Sequence, residues 1–336
     1  ALDVHEGGST LRFLLAQVAA GGGEAMFCGS PRLMERPHGG LLDCLTGMGA
    51  TIESVLDAGQ PALKMRSPGI PGGAISLEGS ASSQYLSALM LVPWKERARI
   101  HSSTGKSSRG YINLTLEAVA RFRGPESLTP LAHGWLASLG CGEAQDWTIP
   151  GDASAGTFFL AALLVGGGRL SFTVPPAPSH PESRLARDLA GLGFLAVDDG
   201  AIAAADPLPD SPLELDLDAF PDAATALAVA CVFLPGGGRL AGTHRLKDKE
   251  SDRLEGMTLL VESMGGSASF DHETLVIQGP PAAQSVACLN PRGDHRMAMA
   301  AGIGQLGISG LEISDRDCVA KSVPGFWGTL SKWRDG

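Results

Sequence analysis

The chain has 336 residues, 44% of them hydrophobic and 18% charged, with a formal net charge of −10. That hydrophobic fraction excludes general disorder, the length points to about two domains, and the acidic balance argues against a broad nucleic-acid or membrane-surface role. Glycine, at 45 residues, is about twice its usual share and, without a collagen-like triplet, is left to punctuate turns and helix ends.

Along the chain, five segments open on a small or acidic residue and continue as an apolar, helix-like run. They are Ser9-Thr-Leu-Arg-Phe-Leu-Leu-Ala, Ser82-Ser-Gln-Tyr-Leu-Ser-Ala-Leu, Asp152-Ala-Ser-Ala-Gly-Thr-Phe-Phe, Asp222-Ala-Ala-Thr-Ala-Leu-Ala-Val and Asp294-His-Arg-Met-Ala-Met-Ala-Ala. Their starts are separated by 73, 70, 70 and 72 residues, a period that points to a repeated architecture. Between them, apolar residues at helical spacing stop on a glycine: Leu42 and Leu45 before Met48-Gly49, Leu136 before Leu139-Gly140, Leu189 before Leu192-Gly193, and Leu260 with Val261 before Met264-Gly265. A terminal glycine is the usual left-handed helix cap, and short strand-like runs such as Thr51-Ile52 and Leu275-Val276-Ile277 follow. Glycine-rich loops fall at Gly21-Gly-Gly, Gly166-Gly-Gly and Gly236-Gly-Gly. Each unit of about seventy residues is therefore expected to alternate two helices with short strands. The last unit starts at Asp294, with a second helix around Phe326 to Trp333 and no strands after it, whereas the first unit enters almost directly at its helix. This phase is read as missing N-terminal sequence, the alternative being a natural short variant with atypical terminal units.

No apolar run reaches the roughly 18–20 residues that span a bilayer, and Ala1 to Glu6 show no signal-peptide layout. The six cysteines, Cys28, Cys44, Cys141, Cys231, Cys288 and Cys318, lack zinc-type spacing and are read as reduced, mostly buried residues of a cytosolic protein.

Helix N-termini offer unpaired N–H groups and a partial positive charge, which suits phosphates and carboxylates. Gly79-Ser-Ala-Ser-Ser-Gln84 clusters three hydroxyls and an amide at one such start, although an ordinary Ser N-cap explains it equally well. Arg245-Leu-Lys-Asp-Lys-Glu-Ser-Asp-Arg253-Leu is the densest ionic segment; if helical, it puts Lys249 and Arg253 on one face with Glu250 beside Arg253. A solvated helix start is the plain alternative. Further cations at helix starts and loop exits, namely Arg12, Arg32, Arg296 and Lys321, would converge if the units pack with those ends together. Asp222 reads as a helix cap or a catalytic base, with the cap ahead on pattern. Asp294-His295 without a second helical His is weak as a metal site, and no nucleotide or hydrolase motif occurs.

Gly8-Ser-Thr-Leu-Arg12, Pro31-Arg-Leu-Met-Glu-Arg-Pro37, Gly79-Ser-Ala-Ser-Ser-Gln84 and Tyr111-Ile-Asn-Leu-Thr115 resemble the EPSP synthase (3-phosphoshikimate 1-carboxyvinyltransferase) family. So do Gly151-Asp-Ala-Ser-Ala155, Phe220-Pro-Asp222, Lys249-Glu-Ser-Asp-Arg-Leu254, Asp294-His-Arg-Met-Ala-Met299 and Cys318-Val-Ala-Lys321, in family order over nearly the whole chain. The resemblance implies an α/β (α+β), two-domain enolpyruvyl-transferase fold of repeated βαβαββ units. Residues 1–147 would hold two of three units of the first domain, and residues 148–336 the three units of the second without its completing N-terminal strand. It further implies transfer of the enolpyruvyl group of phosphoenolpyruvate to the 5-hydroxyl of shikimate 3-phosphate, through a tetrahedral intermediate and with no metal or organic cofactor.

Carried over by motif, Gly8, Arg32, Gln84, Arg253, Arg296 and Lys321 would bind phosphoenolpyruvate. Ser82, Ser83, Gln84, Ser108, Tyr111, Asp222 and Lys249 would hold shikimate 3-phosphate. Asp222 would take the hydroxyl proton and Glu250 would move a proton at the methylene carbon, with the substrates in a cleft that closes on them. The family also opens on a strand and a Lys-Ser-x-Ser-x-Arg segment that no residues here match, and Asp248 occupies a position it usually keeps apolar. These departures imply impaired turnover by this chain alone and make the missing N-terminal segment a further partner. Two other readings are a non-catalytic or complementing chain that binds shikimate 3-phosphate or that segment, and the sister transferase acting on UDP-N-acetylglucosamine. The Ser-Ser-Gln, Lys-Glu-Ser-Asp-Arg-Leu and Asp-His-Arg-Met-Ala-Met motifs favour shikimate 3-phosphate over the latter.

Overall fold

The computed structural model describes residues 1–77, 82–102, 109–138, 146–279 and 288–335, and the chain divides into two compact units, Ala1–Thr148 and Ile149–Gly336. The first unit contains two copies of one motif. In the first copy, β1 (Leu2–Asp3), α1 (Gly8–Gly21), β2 (Gly23–Cys28), a short α2 (Pro31–Glu35), α3 (Gly39–Gly47), β3 (Thr51–Asp57) and β4 (Gln60–Ser67) form a sheet in the order β1-β2-β4-β3. Here β1 runs parallel to β2 and the other pairs are antiparallel, as a helical crossover followed by a hairpin requires. The second copy repeats this with β5 (Gly73–Leu77), α4 (Ser83–Met90), β6 (Ala98–Ser102), α5 (Arg109–Arg123), β7 (Leu128–Leu131) and β8 (Gly134–Ala137), ordered β5-β6-β8-β7. Leu11, Leu15, Ala16 and Ala19 of α1 recur at helical spacing and are fully buried in a core shared with Leu86, Leu89 and Met90 of α4.

The second unit carries α6 (Ala153–Gly166), β9 (Arg169–Leu170), α7 (Leu185–Gly191), β10 (Leu195–Asp198) and β11 (Ala201–Ala204), with a sheet ordered β10-β11-β9. A complete motif follows: β12 (Leu213–Asp216), α8 (Ala224–Phe233), β13 (Gly238–Ala241), α9 (Arg253–Ser263), β14 (Ser267–Asp271) and β15 (Thr274–Gln278), ordered β12-β13-β15-β14. Last come β16 (Cys288–Leu289), α10 (His295–Gly307), β17 (Glu312–Ile313) and α11 (Phe326–Asp335), with β16 parallel to β17. The first helix of each of these motifs, α6, α8 and α10, packs against the other two, and together they form the centre of the domain core. That placement explains why α8 is apolar on every face: it buries Ala224 through Val232 without a break.

Two expectations change. Leu136 lies in β8, opposite Arg99 of β6, and does not lead a helix to Gly140; two leucines three residues apart cannot distinguish a helix from a strand, and the pairing with β6 and β7 decides it. The second helix of that motif is α5, and the glycine that follows it is Gly124, at φ +92°. Residues 139–145, including Gly140 and Cys141, lie outside the described residues. Of the five described cysteines only Cys231 is fully buried; Cys28, Cys44 and Cys318 are half-buried, the last two against the cores, and Cys288 is exposed. Burial pushes the thiols of Cys231 and Cys44 up, to about 12 and about 11, so both stay protonated at neutral pH. Among the described residues no helix is long and apolar enough to cross a membrane.

The close packing of α10 makes its glycines sensitive. A Cβ on Gly302 would stand 2.7 Å from Cζ3 of Trp327 and 3.0 Å from Cε1 of Phe326, both on α11. Gly302→Ala is expected to destabilise the fold by about 1–3 kcal/mol despite the better helix propensity of alanine, read as a lower urea midpoint.

Candidate functional site

In the first unit the polar residues gather at the start of α1. Its N-cap, Gly7, has no side chain to bond the first-turn amides, and Gly8 follows on a buried position. A Cβ added at Gly8 would lie 3.0 Å from Nη1 of Arg36 and 3.3 Å from Nη1 of Arg12, so two guanidinium groups flank this helix start. Arg12, 4% exposed, donates from Nη1 to Oε1 of Gln84 and from Nη2 to the Pro37 carbonyl at 3.2 Å, and its guanidinium lies 5.4 Å from the centroid of the Tyr85 ring. The Tyr85 hydroxyl donates to the same carbonyl at 2.6 Å. Ser82 caps α4, accepting from the Gln84 amide at 3.3 Å, so Ser82, Ser83 and Gln84 lie at one helix start, as the spacing predicts. Tyr111 sits on α5, whose Thr115 bonds both the Tyr111 carbonyl, at 2.9 Å, and the Ser87 hydroxyl of α4, at 2.7 Å. Ser108 and Gly79 lie outside the described residues.

Arg32 is half exposed and lies 3.8 Å from Glu35, while a guanidinium beside Gly8 is that of Arg36. Proline at 37 holds Arg36 extended, at φ −64° and ψ 151°, so the chain leaves α2 there. A pre-proline arginine was the available signal in the sequence.

In the second unit Asp222, Lys249, Glu250, Arg253 and Arg296 come together, around Asp294. The segment His244–Asp248 is a 3₁₀ turn and Lys249 is extended, so α9 starts only at Arg253, behind the Asp252 cap. Lys249 and Arg253 therefore do not share a helix face, yet both reach Asp222: Nζ of Lys249 lies 3.1 Å, and Nη1 of Arg253 2.8 Å, from Oδ1. Arg296 Nη2 stands 3.7 Å from Oδ2. Glu250 does lie beside Arg253, accepting from Nη2 at 2.7 Å.

Asp222 is no helix cap. It belongs to the turn Pro221–Ala223 ahead of α8, and its carboxylate faces cations rather than the amides of that helix. Asp294 does cap α10, accepting from the Arg296 amide at 3.0 Å. It also takes Nε of Arg253 on Oδ2 at 2.7 Å, Nη2 on Oδ1 at 3.1 Å, and the Ser251 hydroxyl at 2.9 Å. Lys321 closes the turn Asp317–Lys321, with Nζ 3.4 Å from the Gly293 carbonyl. The anchoring roles of Asp294 and Ser251 are visible only in three dimensions, because they join segments 41–43 residues apart.

The electrostatics follow the geometry. Burial opposes a charged Asp222, but Lys249, Arg296 and Arg253 outweigh it and hold the carboxyl well below the usual carboxylate range. Burial likewise opposes the Asp294 charge, and Arg253 overcomes it, lowering the carboxyl to about 2. His295 shifts down to about 4, chiefly through burial and then the Arg296 charge; its Nδ1 is buried with no hydrogen-bond partner among the described residues. The arrangement can present cations to an anionic ligand beside a carboxylate able to accept a proton.

The family described as EPSP synthase (3-phosphoshikimate 1-carboxyvinyltransferase) matches residues 1–330. The chain belongs to the EPSP synthase family. Among its relatives, the 3-phosphoshikimate 1-carboxyvinyltransferases of Shewanella sp. strain MR-7 and Shewanella loihica are 32% and 30% identical over 98% of this chain and 78% of theirs. An EPSP synthase structure from Acinetobacter baumannii superposes with a TM-score of 0.73 at 20% identity, covering 99% of this chain and 78% of that one, a likeness of fold. Another fold likeness is the enolpyruvyl transferase NikO from Streptomyces tendae, with a TM-score of 0.68 at 15% identity, covering 96% of this chain and 75% of that one. As an EPSP-synthase-family chain it is classed among the transferases.

Asp294→Ala leaves Arg253 with a buried charge stripped of its fully buried partner, and is expected to cost about 3–5 kcal/mol of stability in urea unfolding. A second outcome concerns acid. With the imidazole of His295 near 4 in the fold and about 6.5 when unfolded, the unfolded chain binds the extra proton between these values. Stability is therefore complete above about pH 6.5 and falls by about 2–3 kcal/mol toward pH 4. The Asp294 contribution is lost only lower, as pH falls from about 4 through about 2. His295→Gln should flatten the unfolding curve between pH 6.5 and 4 and leave the lower limb in place.

Proposed function

We propose that this chain transfers the enolpyruvyl group of phosphoenolpyruvate to the 5-hydroxyl of shikimate 3-phosphate, giving 5-enolpyruvylshikimate 3-phosphate and phosphate. The observation that carries this reading is the group of Lys249, Arg253 and Arg296 around the Asp222 carboxylate, with Glu250 against Arg253, in a chain of this family. Both substrates are anions, and cations offset their mutual repulsion while orienting them.

Phosphoenolpyruvate is assigned to Arg296, Lys321, Arg253, Gly8, Gln84 and Arg32, to which the structure adds Arg36 and Arg12 as guanidinium groups beside Gly8. Shikimate 3-phosphate is assigned to Lys249, Asp222, Tyr111, Ser82, Ser83, Gln84 and Ser108. In the reaction, Asp222 accepts the proton of the 5-hydroxyl as the hydroxyl oxygen attacks C2 of phosphoenolpyruvate, and Glu250 delivers a proton to the methylene carbon. The resulting tetrahedral adduct then expels phosphate, while Glu250 removes a proton from the new methyl group and restores the double bond.

The test is phosphate release with both substrates present. Release that needs both, with kcat lowered roughly 10²–10⁴-fold in Asp222→Asn, is expected. Binding of shikimate 3-phosphate without phosphate release would reduce the chain to a ligand-binding one, and an unaltered kcat in the variant would remove Asp222 from the chemistry.

A further inference from the structure

The three cations that meet Asp222 are not equivalent. Arg253 is 1% exposed and also donates to Glu250 and Asp294, so four of the five N–H bonds of its guanidinium are occupied by carboxylates. That leaves Arg253 one N–H with which to meet a ligand from where it stands, and turning further would strip Asp294 of its partner. Lys249 and Arg296 keep 26% and 15% of their side-chain surface accessible, and Arg296 stands at 3.7 Å, a charge contact rather than a short hydrogen bond. Asp222 is thus held by one fixed cation and two accessible ones.

We propose that Asp222 is a displaceable internal counter-ion, its carboxylate filling the anion position between Lys249 and Arg296 until an anionic group of the substrate draws those two cations away. The inference rests on the reading of this cluster as a substrate site, and adds to it an order of events. While Lys249, Arg296 and Arg253 hold Asp222 charged against the cost of its burial, its carboxylate is a weak base. Once a ligand engages Lys249 and Arg296, only Arg253 still opposes that cost, and the proton affinity of Asp222 rises. The base becomes competent when the anion is seated. The surrounding charged groups are Lys249 and Glu250 on the segment before α9, Arg253 on α9, and Asp294, His295 and Arg296 at the start of α10, with Lys321 beside them.

A counter-ion and a simple ligand contact predict opposite signs for one substitution. Asp222→Asn removes the internal competitor, so sulfate, a dianion across the pH range used, should bind roughly tenfold tighter or better by isothermal titration at low salt and pH 7. Asp188→Asn removes the same charge from the Arg184–Asp188 pair of α7 and should change sulfate affinity less than about twofold. A second readout uses the Asp222 carboxylate itself. In a His295→Gln background, which excludes uptake by the imidazole, sulfate binding at pH 5 in buffers of different ionisation enthalpy should show proton uptake.

Weaker or unchanged sulfate binding by a folded Asp222→Asn protein, equal tightening in Asp188→Asn, no proton uptake, or no measurable sulfate binding overturns the counter-ion role. None of these touches the activity, which stands or falls on phosphate release.

Discussion

The guanidinium of Arg253 donates to carboxylates from three separate segments: Asp222 ahead of α8, Glu250 ahead of α9, and Asp294 at the cap of α10. Burying that charge costs several kcal/mol, and only carboxylates in direct contact repay it. Three acids on one cation would leave an excess of two negative charges, and Lys249 and Arg296, both against Asp222, supply the balance. The polar end of the second unit is therefore near neutrality, and each helix start there is positioned by its share of one charge network. An anion entering it has to replace a partner rather than fill a bare positive hole.

In the first unit Arg12 is as buried as a core residue, and the Gln84 amide oxygen, the Pro37 carbonyl and the face of Tyr85 lie against its guanidinium. Arg12 and Arg36 both bring guanidinium groups to Gly8, at the positive end of α1.

Much of this was legible in the sequence because it depends on local rules. The seventy-residue period, the apolar runs opening at Asp152, Asp222 and Asp294, and the glycines after α3, α7 and α9 follow from helix periodicity and capping. Leu136 was misread because a four-residue strand and a fragment of helix offer the same two leucines, and the partner strand β6 arbitrates from more than thirty residues away. Asp222 looked like a cap because position alone cannot say which way a carboxylate turns; the cations that turn it arrive from residues 249, 253 and 296. The choice between Arg32 and Arg36 likewise depended on where the chain leaves α2.

The continuous burial of α8 bears on how the second unit folds. A ten-residue helix without a polar face gains little from forming alone, since short helices are marginal in water and this one would expose its apolar sides. Its partners α6 and α10 lie about seventy residues before and after it in the chain. Assembly of the core then waits on contacts of long sequence separation, which makes the folding of this domain slow and cooperative rather than stepwise along the repeat.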